Sequence, residues 1–264
     1  MAALTSPSNP KIKQARLLAQ QRKARQASGL FVVEGIRHVG EAFAAGAAVE
    51  YLCYAPDLLT SEFALRLVAE QEGRGLPCYA VKAEVFASLA EKDNPAGILA
   101  VVRMRTERLE DLSPQNFAWG VALDAPQDPG NIGSILRTID AAGASGLLLL
   151  GQAADPYHPS AVRASMGAIF WHPLVTATFE AFTAWAGRHA YHIYGTSAHG
   201  SQDYRQARYE KPCILLMGSE RQGLSEAQAA ACHTLVRMPM QGRVTSLNLA
   251  IATGVMLYEM LAKM

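Results

Sequence analysis

The chain has 264 residues, half of them hydrophobic and only 18% charged, against roughly 25% charged in ordinary soluble domains. That composition excludes general disorder and calls for a sizeable core in one large or two small domains. The 24 basic and 23 acidic side chains leave a formal charge of +1, so no global field announces a nucleic-acid partner. The charge is uneven, however: residues 1–33 carry Lys11, Lys13, Arg16, Arg22, Lys23 and Arg25 and no acid.

Asn9-Pro10 is a helix start, with Asn as N-cap and Pro at the first helical position, and the helix is expected to run to Ala27 before Ser28-Gly29. Leu30–Val33 reads as a buried strand and Ile36–Ala45 as a helix closed by Gly46. Val49–Tyr54, Cys78–Val81 and Ile98–Val102 are further strands, with helices near 61–72 and 84–91. The charged, apolar-poor run Arg103–Asn116 reads as a linker. The expected organisation is therefore an α/β/α domain over 1–107, a linker at 108–116 and a second domain over 117–264. In the second half Gly120–Leu123, Gly146–Leu150, Tyr191–Tyr194, Cys213–Met217 and Leu235–Met238 read as strands. Ile132–Ala142 and Ser246–Lys263 read as helices, giving an α/β class with a mainly parallel sheet.

Cys53, Cys78, Cys213 and Cys232 form no C-x-x-C pair, which points to reduced, buried thiols in a cytoplasmic protein. His189 and His192 stand three apart and suit one helix face, but two ligands do not make a zinc site. The most apolar stretch, Leu247–Ala262, is interrupted by Asn248, Thr253 and Glu259 and falls short of the ~20 residues of a membrane span. The start Met1–Thr5 lacks the apolar run of a secretory signal. A basic, acid-free start also resembles a transit peptide, but its helix signals argue for a folded element.

Ligands of parallel sheets bind beyond the C-terminal strand ends, and three loops there carry candidate chemistry. The first gives Asn131-Ile-Gly133-Ser-Ile-Leu-Arg137, with Asn131 expected as N-cap and Arg137 leaning back over Gly133, an arrangement suited to a phosphate or ribose. An N-cap with an Arg137–Asp140 surface pair explains the same residues without a ligand. The second, Gly218-Ser-Glu220-Arg-Gln-Gly223-Leu-Ser225, places Glu220 at a strand end, to bind a substrate or to fasten a neighbouring loop. Turn glycines before a helix capped by Ser225 and Gln228 are the plain alternative. The third brings Ser246 and Asn248 to the mouth of an apolar helix. Capping explains one of the two, and the apolar faces of that helix suit either its own core or a partner subunit.

Taken in order, Asn131…Arg137, Gly218-Ser-Glu220-x-x-Gly223-Leu and Ser246-Leu-Asn248 resemble the three motifs of SpoU-type RNA methyltransferases of the SPOUT superfamily. Asn9-Pro-x-Ile-Lys13, Gly29-x-Phe31-x-Val33-Glu34-Gly35 and Asn94-Pro-x-Gly97-Ile resemble the substrate-binding domain of the ribosomal-RNA branch. Thr245 stands where many members carry Glu, and Leu249-Ala250 replaces a common Val-Ser.

The resemblance implies a C-terminal trefoil-knotted methyltransferase domain, an N-terminal domain similar to small ribosomal-protein RNA-binding folds, a homodimer through the C-terminal domain, and S-adenosylmethionine as methyl donor. It maps cofactor contacts onto Gly218, Met238, Leu247, Leu216 and Met240, and catalytic roles onto Arg137, Asn131, Glu220, Ser246 and Asn248. The implied reaction is methylation of a ribose 2′-OH in ribosomal RNA. Transfer RNA and a non-catalytic RNA-binding relative are the alternatives. Because guanidinium stays protonated, Arg137 is expected to clamp a phosphate and polarise the 2′-oxygen rather than act as base. A nicotinamide dehydrogenase is disfavoured, because the sole G-x-G, Gly73-Arg-Gly75, lies in a polar loop.

Overall fold

The computed structural model describes residues 6–89 and 95–264. Asn94 of the substrate-domain motif and the Met1–Thr5 start lie outside the described residues. Contacts divide the chain into two compact units, Met1–Arg105 with Asp155–Phe170, and Thr106–Ala154 with Trp171–Met264.

The first unit opens with α1 (Pro10–Gln20), capped as expected by Asn9, whose side chain accepts from the Lys11 backbone N–H at 2.9 Å. The single helix expected to reach Ala27 is two, because Gln21 is extended and α2 (Arg22–Ser28) starts afresh. No Gly or Pro marks that break. Its cause is the buried Arg25, whose guanidinium donates to the Leu18 and Ala19 carbonyls, two of the acceptors a helix end leaves open.

The unit continues with β1 (Leu30–Glu34), α3 (Ile36–Ala44), β2 (Val49–Tyr54), α4 (Glu62–Gly73), β3 (Cys78–Ala80), α5 (Ala83–Ala87) and β4 (Ile98–Arg103). The sheet order is β1-β4-β2-β3. Only β2 and β3 run parallel, while β4 is antiparallel to both its neighbours. Along β1 the side chains alternate. Leu30 and Val32 join a core with Ile12, Ala15, Leu18, Tyr51 and Phe86, while Phe31 turns to the other face against Tyr157 and Phe170.

The expected linker is half core. Leu109–Asp111 is a 3₁₀ turn, and Leu109 and Leu112 are buried with Phe117, Phe182 and Trp185. From there β5 (Trp119–Asp124), α6 (Pro129–Ala142) and β6 (Gly146–Leu150) follow. The chain then leaves the second unit. Asp155–Phe170, which includes α7 (Pro159–Ala164), packs with the first unit. Within that unit Asp155 takes Arg25 Nε and Nη2, each at 2.7 Å, and His38 Nε2 lies 3.1 Å from the Arg163 carbonyl. The boundaries read from the sequence kept this segment with its sequence neighbours.

On its return the chain forms β7 (Leu174–Ala177), α8 (Phe179–Arg188), β8 (His192–Thr196), β9 (Gln202–Asp203), β10 (Cys213–Met217), α9 (Glu226–Ala230), β11 (Thr234–Arg237) and α10 (Leu249–Lys263). The sheet is parallel throughout, in the order β7-β6-β5-β10-β8-β11-β9. His189 caps α8 while His192 lies in β8, so the two do not share a helix face. Among the described residues no group of three or more His, Cys, Asp or Glu is placed to hold a metal.

Two consequences position the site. β5 and β8 are separated by β10, which is inserted later in the chain, and the loops after all three strands gather at one edge of the sheet. After β11 the chain returns to lay α10 against α6, carrying residues 238–248 past loop 218–223.

Candidate active site

The first loop starts its helix three residues earlier than expected. Asp128 is the N-cap, accepting from the Gly130 N–H at 2.8 Å, and Pro129 takes the first helical position. The sequence carries the signal, since Asp128-Pro129, like Asn9-Pro10, sets an N-cap residue before Pro. Asn131 is thereby released from capping. Only 7% exposed, it lies in the first turn of α6 and turns its carboxamide toward the other two loops.

Those loops meet on it. Asn131 Nδ2 donates to Glu220 Oε1, and Asn131 Oδ1 accepts from Asn248 Nδ2 at 3.1 Å. The second oxygen of Glu220 accepts from the Gln127 backbone N–H at 3.3 Å. Asn248 is the N-cap of α10, its Oδ1 accepting from the Ala250 and Ile251 N–H groups at 2.9 and 3.3 Å. The expected Ser246 start of that helix therefore moves to Leu249. The relay runs one way, from backbone N–H donors at the α10 end to a carboxylate that only accepts. Of the two roles open to Glu220, the geometry realises the fastening of a neighbouring loop.

Above this relay lies a cavity of about 650 Å³, within the size range of small-molecule sites. Its walls are Met217–Leu224 from the end of β10 and the second loop, Met238, Met240 and Thr245–Asn248 from the third, Leu249 and Ala252 of α10, and Thr196–His199 from the end of β8 and the loop beyond it. Gly218, Met238, Met240 and Leu247, expected to contact cofactor, line it together with Glu220, Ser246 and Asn248. Leu216 does not, being fully buried near the end of β10 and packed into the core. Asn131 lies behind the lining and reaches it through Glu220 and Asn248. The β8 wall carries no motif in the sequence, and β8 runs two residues past the expected Tyr194 end, to Thr196.

Gly218 is required by the backbone around it. A Cβ there would fall 2.2 Å from the Gly223 carbonyl carbon and 2.3 Å from the Leu224 nitrogen, distances no packing allows. The loop closes on itself through a bridge between Ser219 and Gly223, with Gly223 at φ +70°.

Arg137 is exposed on α6 and makes no hydrogen bond or ion pair among the described residues. It does not line the cavity, and the Arg137–Asp140 pair is not formed. Asp140 Oδ1 is instead 2.8 Å from His172 Nε2.

Comparison with known proteins agrees with this geometry. Residues 119–258 match the SpoU rRNA Methylase family and residues 9–100 the MRM3-like substrate binding domain. The 23S rRNA (uridine(2479)-2'-O)-methyltransferase of Streptomyces viridochromogenes is 35% identical over 95% of this chain and 89% of its own. The 23S rRNA (guanosine(2553)-2'-O)-methyltransferase of Bacillus subtilis is 27% identical over 98% of this chain and 99% of its own. The AdoMet-bound rRNA methyltransferase of Sinorhizobium meliloti superposes with a TM-score of 0.88 at 39% identity, covering 98% of this chain and 97% of that one. The chain belongs to the SpoU rRNA methylase family. Its second unit is the α/β methyltransferase fold with a parallel sheet that the three motifs imply.

Proposed function

We propose that the chain transfers a methyl group from S-adenosylmethionine to a ribose 2′-OH of ribosomal RNA. The observation that carries this reading is the 650 Å³ cavity held by the Glu220–Asn131–Asn248 relay. The donor set fits the cofactor: thioethers and aliphatic side chains (Met217, Leu224, Met238, Met240, Leu247) for an adenine and a methylsulfonium, and loop N–H groups with Thr196 and Ser197 for its polar ends. When bound, the cofactor supplies an already activated methyl group.

The rest falls to the chain's own residues. Gly218, Met238, Met240 and Leu247 hold the cofactor, with Leu216 supporting from behind. Glu220, Asn131 and Asn248 fix the mutual position of the three loops, and Ser246 presents a hydroxyl at the cavity wall. Arg137 clamps the substrate phosphate with its planar, permanently charged fork. The ribose must meet the methyl group in line, so positioning dominates the rate. Basic residues of α1 and α2 add sequence-independent attraction for RNA.

The working form is a homodimer. Leu247, Ile251, Val255, Tyr258 and Leu261 are 37–58% exposed along one face at the start and length of α10, an apolar stripe suited to a second copy. Because α10 packs on α6, Arg137 then stands at the rim of that seam. We place the reaction in the cytoplasm, which suits four unpaired thiols. No described helix is long and apolar enough to cross a membrane.

The test is single-turnover transfer of a labelled methyl group to ribosomal RNA from a strain lacking the gene, with the product mapped by nucleotide. A protein that binds S-adenosylmethionine but leaves this RNA unlabelled overturns the substrate assignment.

A further inference from the structure

The three tryptophans are treated differently by the fold. Trp119 and Trp185 are 1% and 0% exposed, whereas Trp171 is 50% exposed. An indole left half in water forfeits much of the largest burial gain a side chain offers, so its mount matters. Trp171 is followed by His172, whose ring is anchored to Asp140 on α6. Next comes Pro173, whose carbonyl accepts from Leu147 N–H at 2.9 Å. That carbonyl sits so close to β6 that a Cβ on Gly146 would come within 2.6 Å of it. The backbone after the indole is therefore clamped twice. Asp140 lies one turn along α6 from Arg137, on the same exposed stripe.

A half-exposed aromatic ring, tied through His172 and Asp140 to the helix that carries an exposed guanidinium, offers the two elements that single-stranded nucleic acid uses: a base stacks on the ring and a cation holds its phosphate. We infer that Trp171 is a stacking platform for an unpaired base of the RNA substrate, a positioning contact next to the Arg137 clamp. The inference rests on the RNA-methylation reading above. A second protein chain fits this spot less well. The apolar stripe suited to association runs along α10, while the residue that follows Trp171 is paired with an acid on α6.

Because the other two indoles are buried, Trp171 can be watched by fluorescence in the full chain. Titration with protein-free ribosomal RNA should quench the exposed emission, and a fully paired RNA duplex of similar length should not. W171F should lose the quench and keep RNA affinity within about threefold, since a phenyl ring still stacks. W171A should raise the RNA KM roughly ten- to hundredfold, with kcat at saturating RNA and the Kd for S-adenosylmethionine unchanged. Quenching by ribosomal RNA without methyl transfer by the parent protein would fault the proposed activity while supporting the stacking contact. Transfer by the parent that W171A leaves undiminished would overturn the inference. So would a W171A protein that sediments as a monomer where the parent is a dimer.

Discussion

The carboxamide of Asn131 donates to the carboxylate of Glu220, joining the first turn of α6 to the loop after β10 across 89 residues of sequence. Asn248 extends the connection to α10 through its own amide. Because the α10 backbone N–H groups only donate and the Glu220 carboxylate only accepts, neither amide can turn over without breaking the relay.

Asn248 has two separable duties, and Asn248→Asp parts them. The carboxylate still caps α10, so the thermal midpoint should stay within about 2 °C of the parent. It offers no N–H to Asn131, however, and methyl transfer should fall at least tenfold. Asn248→Ala loses both duties and should also destabilise by about 1 kcal/mol. Equal loss of stability in the two variants would show that the cap and the relay do not separate in this way.

Gly218→Ala adds a methyl group where the Gly223–Leu224 backbone already lies. The loop must open, and S-adenosylmethionine binding measured by calorimetry should weaken at least tenfold while the circular dichroism stays that of the parent. Gly242, with open space around its Cα and in the third loop, is the control: Gly242→Ala should bind within about threefold.

Arg137→Ala should keep cofactor binding and lose transfer by at least two orders of magnitude. Arg137→Lys should recover little, because a point charge lacks the two-pronged geometry. Asp140→Ala separates a clamp from a surface network. It frees His172, one of the two ties behind Trp171, and leaves Arg137 as it was, so transfer at saturating RNA should stay within about threefold. Arg137→Ala working near the parent rate would remove the residue from the mechanism.

Arg25 and Asp155 form a buried pair within the first unit, with side chains 2% and 10% exposed. Arg25→Ala strands the carboxylate and uncovers the Leu18 and Ala19 carbonyls, and should cost about 3–5 kcal/mol in chemical denaturation. Arg25→Met with Asp155→Leu should recover most of that. For the same reason a protein lacking residues 1–107 should aggregate, since Val162, Ile169 and Phe170 lose the partners that bury them.

Burial pushes the thiols of Cys53 and Cys213 up to about 12. Their ionised forms are disfavoured only in the folded protein, so folding is unaffected below the unfolded value near 9. As pH rises from about 9 toward 12 the unfolded state binds fewer protons than the native one, and stability should fall by about 1.4 kcal/mol per pH unit for each thiol. Cys213→Ala should reduce that slope in urea titrations between pH 9 and 11. A slope unchanged by the substitution would assign the loss to other groups, such as the buried phenols of Tyr51 and Tyr191 that desolvation also raises.

Short apolar strands were the most legible part of the chain. Gly146–Leu150 and Cys213–Met217 match their expected bounds, because a fully buried parallel strand has no competing pattern. Helix starts are legible where a cap and Pro stand together, and Asp128-Pro129 shows that the rule holds even with a competing cap residue, Asn131, three positions on. The break at Gln21 was not legible, since its cause is Arg25 held by Asp155, 130 residues away. In the site, the residue types were readable but their division of labour was not. Nothing local tells that Asn131 and Glu220 bond to each other, or that Leu216 faces the core one residue from a cavity-lining Met217.

The excursion of Asp155–Phe170 also sets a timetable for synthesis. The ribosome finishes β4 at Arg103, yet Phe31 meets Tyr157 and Phe170, and Arg25 meets Asp155, only after some fifty to seventy further residues have been made. At about 5–20 residues per second the N-terminal sheet spends several seconds with one apolar face uncovered and a guanidinium without its carboxylate. That interval is when a nascent-chain chaperone would engage this protein, and slow codons before residue 170 would lengthen it.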